Sequence, residues 1–83
     1  MTIVINKYII ADSAVCHGKP IFKGTRIMVW QILEMLSSGE TAASIFKAFP
    51  SLTKKHLSAA LNYAATITKE NYVIINTQTQ AIA

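Results

Sequence analysis

The sequence predicts a mainly α fold, a three-helix bundle of the helix-turn-helix kind with a short strand ahead of it and a second strand candidate behind. Three observations carry that expectation. Apolar residues recur at helical spacing in three successive stretches between Met28 and Ile67, and Gly39 and Pro50 separate those stretches. Thr41 and Thr53 stand where helix N-caps belong. Residues 2–11, TIVINKYIIA, are rich in Ile, Val and Tyr, which suits an extended strand.

The elements follow in order. The strand over 2–11 is broken by Asp12 and Ser13, and then by Gly18, Lys19 and Pro20. Pro20 to Lys23 forms a short extended piece, and Gly24-Thr25 turns the chain before Arg26. Helix 1 is expected from about Met28 to Ser38, with Val29, Ile32, Leu33 and Leu36 on one face and Gly39 as its stop. Helix 2 begins after Thr41 and ends before Pro50, on a stripe of Ala42, Ile45, Phe46 and Phe49. Helix 3 follows Pro50-Ser51-Leu52, with a buried stripe of Leu57, Ala60, Leu61, Ala64 and Ile67. Tyr72, Val73, Ile74 and Ile75 form the second strand candidate. One domain is expected over 1–75, with a flexible polar tail over 76–83.

At 83 residues the chain is near the lower limit for an independent core, and its single cysteine, Cys16, excludes an internal disulfide. Apolar residues make up 52% of it and charged residues 14%, more apolar surface than so small a monomer easily hides. A lone two-stranded ribbon is marginal in water, and strands paired between two chains would remove edges and hide apolar area together. A homodimer is therefore expected. Trp30 lies off the apolar face of helix 1, so either the N-terminal strand or a second subunit must cover it. Phe22 and Tyr63 raise the same question. Phe22, Trp30 and Tyr72 to Ile75 are the candidate partner contacts. No apolar run reaches the roughly 20 residues that span a bilayer. The N-terminus lacks the marks of a signal peptide, and a cytoplasmic, membrane-free protein is expected.

The net charge of +4 favours a polyanionic partner. At about 100° per residue, the far face of helix 3 carries Lys55, Ala59, Asn62 and Thr66, with Ser58 beside it. That face is small and polar with a cation at its start, as a helix lying in a major groove requires. Asn62 is the candidate for adenine recognition through its amide. Lys54 and Lys55 occupy the first turn, where the helix dipole disfavours cations by roughly 0.3–1 kcal/mol each. Either a phosphate lies against that turn, or the pair is merely solvated. Lys23 and Arg26 form a second basic group; Arg26 either contacts phosphate or pairs with Glu34 or Asp12.

Enzyme chemistry finds no support. The acids Asp12, Glu34, Glu40 and Glu70 are scattered over different elements, and His56, read as a flanking surface residue, has no nucleophile or carboxylate fixed by spacing. Cys16-His17 is a lone pair without metal-ligand spacing. GKPIFKGTR is not a phosphate loop of the form GxxxxGK[ST]. No metal, no cofactor and no small-molecule substrate are expected.

The motifs GKPIFKGTRI (18–27), GETAASI (39–45), FPSLT (49–53) and AALNYAA (59–65) occur in a fixed order. In that combination the chain, over about residues 9–67, resembles the small bacterial and archaeal family called domain of unknown function 433. The resemblance implies a homeodomain-like three-helix fold with short N-terminal strands, a dimer, and a role as antitoxin of a VapBC-like pair beside a PIN-like ribonuclease toxin. Two departures stand out. Helix 2 of the family commonly opens with Pro and acids, where Ala42-Ala43-Ser44 stand here. Helix 3 often begins with acids, where Lys54-Lys55-His56 stand here, which strengthens the case for DNA in this member.

Two functions fit. In the first, a dimeric DNA-binding antitoxin reads a palindromic operator through Lys55, Ser58, Asn62 and Thr66, with Lys54, Lys23 and Arg26 on the backbone and half-sites about 34 Å apart. In the second, the same dimer is a protein-interaction module that binds a partner protein without specific DNA binding.

Overall fold

The computed structural model describes residues 1–70. Three strands precede three helices: β1 (Thr2–Val4), β2 (Ile9–Asp12), β3 (Ile21–Phe22), α1 (Val29–Ser37), α2 (Ala42–Ala48) and α3 (Lys54–Glu70). The strands form one antiparallel sheet in the order β1-β2-β3, with Ile3 opposite Ala11 and Ile9 opposite Phe22.

The N-terminal stretch is a hairpin, not one strand over 2–11. Asn6 is the reason. Its side-chain oxygen accepts the backbone N–H groups of Tyr8 and Ile9 at 2.9 and 3.0 Å, a turn that Asn makes with its own downstream backbone. The apolar composition on both sides hid that break. All three strands find partners within one chain, so the sheet forms without the second copy that the sequence invoked. Tyr72, Val73, Ile74 and Ile75, and the tail 76–83, lie outside the described residues.

Between β2 and β3 the chain makes a 3-10 turn over Cys16–Gly18, in which Cys16 and His17 take φ of 50° and 57°. The connection from β3 to α1 is tighter. Gly24 has φ of 80°, the left-handed region that costs glycine nothing. Thr25 donates its hydroxyl to Phe22 O at 2.8 Å and accepts the Ile27 N–H at 3.0 Å. Phe22 N–H in turn donates to Ile27 O, and Val29 N–H to Pro20 O. The Gly24-Thr25 pair thus folds the chain back so that β3 and the start of α1 run side by side.

Helix boundaries follow local chemistry. The end of α1 carries the expected glycine: Gly39 has φ of 94°, its N–H donates to Leu36 O at 3.1 Å, and Glu40 N–H donates to Met35 O at 3.0 Å. Thr41 Oγ1 accepts the Ser44 N–H at 3.1 Å and opens α2. Helix α2 closes before Pro50, whose ring cannot continue it.

The core is a single cluster of Ile9, Phe22, Val29, Ile32, Ile45, Leu52, Leu57 and Ala60. Sheet, all three helices and the α2–α3 turn each contribute to it, and α1 packs against both α2 and α3. Phe22, expected at a partner contact, is instead fully buried inside the chain. On α3 the buried side is Leu57 and Ala60, flanked by half-buried His56, Ala59, Tyr63 and Ala64, while Leu61 and Ile67 are exposed. The stripe is therefore turned from the expected one towards His56, Ala59 and Tyr63. Nine-residue α1 is too short to cover the far half of seventeen-residue α3, and the hairpin packs on the other flank.

Phe22→Ala should cost about 3–5 kcal/mol, as for other fully buried aromatics. Urea unfolding checks it, and the loss should not depend on protein concentration, since the ring is buried within one chain. Thr41→Ala, which removes one cap bond at an exposed helix start, should cost only about 1 kcal/mol.

Candidate functional site

The β1–β2 turn is carried onto the first turns of α3, and aromatic rings join the two. The Tyr8 and His56 ring centroids lie 5.1 Å apart, and Phe22 meets His56 edge-on at 5.6 Å. His56 is therefore no free surface residue. Its Nδ1 accepts the Thr53 N–H at 3.0 Å and lies 3.0 Å from Thr53 Oγ1, which fixes the start of α3. This is the position at which a capping box carries Glu or Gln, and the imidazole serves the same purpose. One side chain thus caps the helix and seats the hairpin.

A shallow groove of about 380 Å³ results. Asn6, Lys7 and Tyr8 line one wall; Lys55, Ser58, Ala59 and Asn62 line the other. Three of the residues singled out from the sequence, Lys55, Ser58 and Asn62, therefore come together, all of them exposed on α3. Lys54 is exposed one residue earlier on the same turn. Lys23 is exposed just past β3, and its N–H donates to Tyr8 O at 2.9 Å, which sets it beside the hairpin tip.

Two candidates are placed differently. Thr66 is exposed, but its hydroxyl donates to Asn62 O at 2.9 Å, which leaves it only acceptor capacity towards a ligand. Arg26 is exposed on the β3–α1 connection and is not among the groove residues. Of its proposed acidic partners, Asp12 accepts from Ala14 N–H and Thr2 Oγ1 at 2.9 and 3.3 Å. Among the partner-contact candidates, Trp30 is 47% exposed, its indole N–H directed to Met28 Sδ at 3.3 Å. Exposed Leu61 is a further apolar group that the stripe had assigned to the core.

The residues that sequence reasoning missed are Asn6, Lys7 and Tyr8. The signal was present: a polar Asn-Lys pair inside an Ile-rich run marks a turn that puts a cation at its tip. Among the described residues, no group of three or more His, Cys, Asp or Glu could hold a metal ion. None of their helices is long and apolar enough to cross a membrane.

His56→Ala removes both the ring packing and the acceptor for the Thr53 N–H. It should lower stability by about 1–2 kcal/mol in urea unfolding. It should also raise hydrogen exchange at the amides of Thr53 and Tyr8, because hairpin and helix start are then without their common anchor.

Comparison with known proteins agrees with this architecture. A family model described as "Protein of unknown function (DUF433)" matches residues 9–64, from the second strand into α3. Among solved structures, the chain is similar to a crystal structure of a DUF433 member protein from Anabaena variabilis ATCC 29413, with a TM-score of 0.72 and 27% identity. The alignment covers 80% of this chain and 65% of that one, so the present chain spans less than two thirds of that protein's length. No curated protein matches.

Proposed function

We propose that this chain, which belongs to the DUF433 family of proteins of unknown function, is a dimeric DNA-binding protein that acts as the antitoxin of a VapBC-like toxin–antitoxin pair. In this reading it represses its own operon through α3 and neutralises a PIN-like ribonuclease toxin through apolar surface. It is a binding protein and not an enzyme.

The observation that carries the DNA part is the exposed side of α3. Lys54, Lys55, Ser58 and Asn62 share it. Two cations and two small polar side chains on one helix, held over a fixed sheet, match what a major groove accepts: phosphate contacts at the rim and short hydrogen-bonding groups towards base edges. Lys54 and Lys55 sit at a helix start, where the backbone alone would favour acids. A phosphate lying there supplies the missing counter-charge. Lys55 and Lys54 hold the backbone, Asn62 and Ser58 face the bases, and Lys23 and Arg26 extend the basic surface.

The antitoxin part follows from the family resemblance. Trp30 and Leu61, 47% and 52% exposed, offer apolar side chains to a second copy or a toxin, and the apolar run Tyr72 to Ile75 is a further candidate by its composition alone. The same surface supports the second reading, a dimeric interaction module that binds a partner protein without specific DNA binding.

Fluorescence anisotropy of the full chain against duplex from upstream of its own gene, and against a scrambled duplex, tests the DNA reading. Specific binding should survive as salt rises. Lys54→Ala/Lys55→Ala should lower the slope of log affinity against log salt by about 0.9 for each phosphate that is no longer neutralised, equally on both duplexes. Asn62→Ala should instead cost about 1–3 kcal/mol on the upstream duplex only. Equal, rapidly salted-out binding of the unmodified chain to both duplexes would leave the interaction module as the surviving reading.

A further inference from the structure

We infer that the β1–β2 turn is a second phosphate-binding element, with Lys7 gripping the duplex backbone that flanks α3; this rests on the DNA reading above. The groove between turn and helix is shallow and open, as a surface that follows a polymer backbone requires, and each wall carries one cation: Lys7 on the hairpin, Lys55 on the helix. None of the chain's four acids is among the residues that line it. The Asn6 carboxamide oxygen is committed to the Tyr8 and Ile9 N–H groups, so that side chain offers its NH2 to a guest. Ser58 and Asn62 add donors from the opposite wall. A cleft lined by ammonium groups and neutral donors is complementary to an anion.

The charge layout selects a linear polyanion over a compact one. Lys54 continues the cationic surface past the groove on the helix side, and Lys23, bonded through its N–H to Tyr8 O, continues it on the hairpin side. Successive phosphates of one strand would meet Lys23 or Lys7 and then Lys55 or Lys54. The hairpin wall is set in advance, because Tyr8 is seated on His56 at the start of the same helix. Lys7 Nζ lies 5.8 Å from the Tyr8 ring centroid, a cation–π contact that favours its ammonium at this wall. Such a grip orients the duplex and carries no base preference.

The test is Lys7→Ala in the full chain, measured by anisotropy on the upstream and scrambled duplexes across a salt titration. Lys69→Ala, at the far end of α3, serves as the charge control. Lys7 is exposed, and thermal unfolding should be unchanged. Lys7→Ala should weaken binding to both duplexes by roughly three- to tenfold near 0.1 M salt and reduce the salt slope by about 0.9, while Lys69→Ala leaves the slope in place. A Lys7→Ala slope equal to that of the unmodified chain, with the Lys54→Ala/Lys55→Ala slope reduced, would overturn the hairpin's role and leave the DNA reading standing. Failure of the unmodified chain to bind either duplex would remove both. Vesicles of phosphatidylglycerol form the last arm; Lys7-dependent binding to them, with none to duplex, would overturn the assignment in favour of a lipid surface.

Discussion

Burial of Phe22 is the interaction on which the rest of this fold depends. Its ring is fully buried in the one core cluster and meets His56 of α3 edge-on, while its backbone belongs both to the sheet and to the turn that starts α1. The two-residue strand that carries it has little stability of its own, because two ladder positions cannot offset the entropy of ordering them. The ring reverses that balance by removing a large apolar surface from water at the point where sheet and bundle meet. The Thr25 hydroxyl and Gly24 hold the backbone around it, which gives the GTR segment a structural purpose in place of a phosphate-loop one.

His56 extends the same packing outward. Its ring touches both Phe22 and Tyr8, and its Nδ1 closes the first turn of α3. Through that one side chain the core fixes the position of the hairpin relative to the helix face that carries Lys55, Ser58 and Asn62. The candidate site is thus a by-product of packing: a groove exists because the hairpin cannot slide along α3 without leaving His56. A basic surface fixed in this way gives up little further freedom on binding, which favours affinity without any additional interaction.

The rotation of the buried side of α3 has a plain cause. Sequence periodicity measures which residues could face a core, and α3 offers apolar groups over an arc wider than its neighbours can cover. Helix α1 is short, so the packing reaches only the first half of α3; Tyr8 and Phe22 pack on His56, and Ala59 and Tyr63 lie half-buried against the core on the same flank. Leu61 is left in solvent as a result, next to the polar side that the DNA reading uses. Trp30 is left half exposed at the start of α1, where β3 runs alongside Ile27 to Val29.

What the sequence determined by itself was where the three helices start and stop. Gly39 ends α1, Thr41 opens α2, Pro50 closes it and the three helices follow in the expected order, because caps and breakers act within one turn of the backbone. The basic, small-residue character of α3 was equally legible, down to Lys55, Ser58 and Asn62. What only the tertiary structure decided was where non-local packing falls. The hairpin is the local exception: Asn6 turns the chain through bonds to Tyr8 and Ile9, a signal outweighed by the apolar composition on both sides. His56 looked like a surface group, and the cover of Phe22 stayed open between the N-terminal strand and a second subunit, because their partners lie on β2, in the hairpin and across the bundle, at sequence distances that no periodicity spans. Lys7 became part of the site for the same reason: its place beside Lys55 is set by the sheet folding onto the helix, an event driven by burial of apolar area and therefore invisible to any local rule.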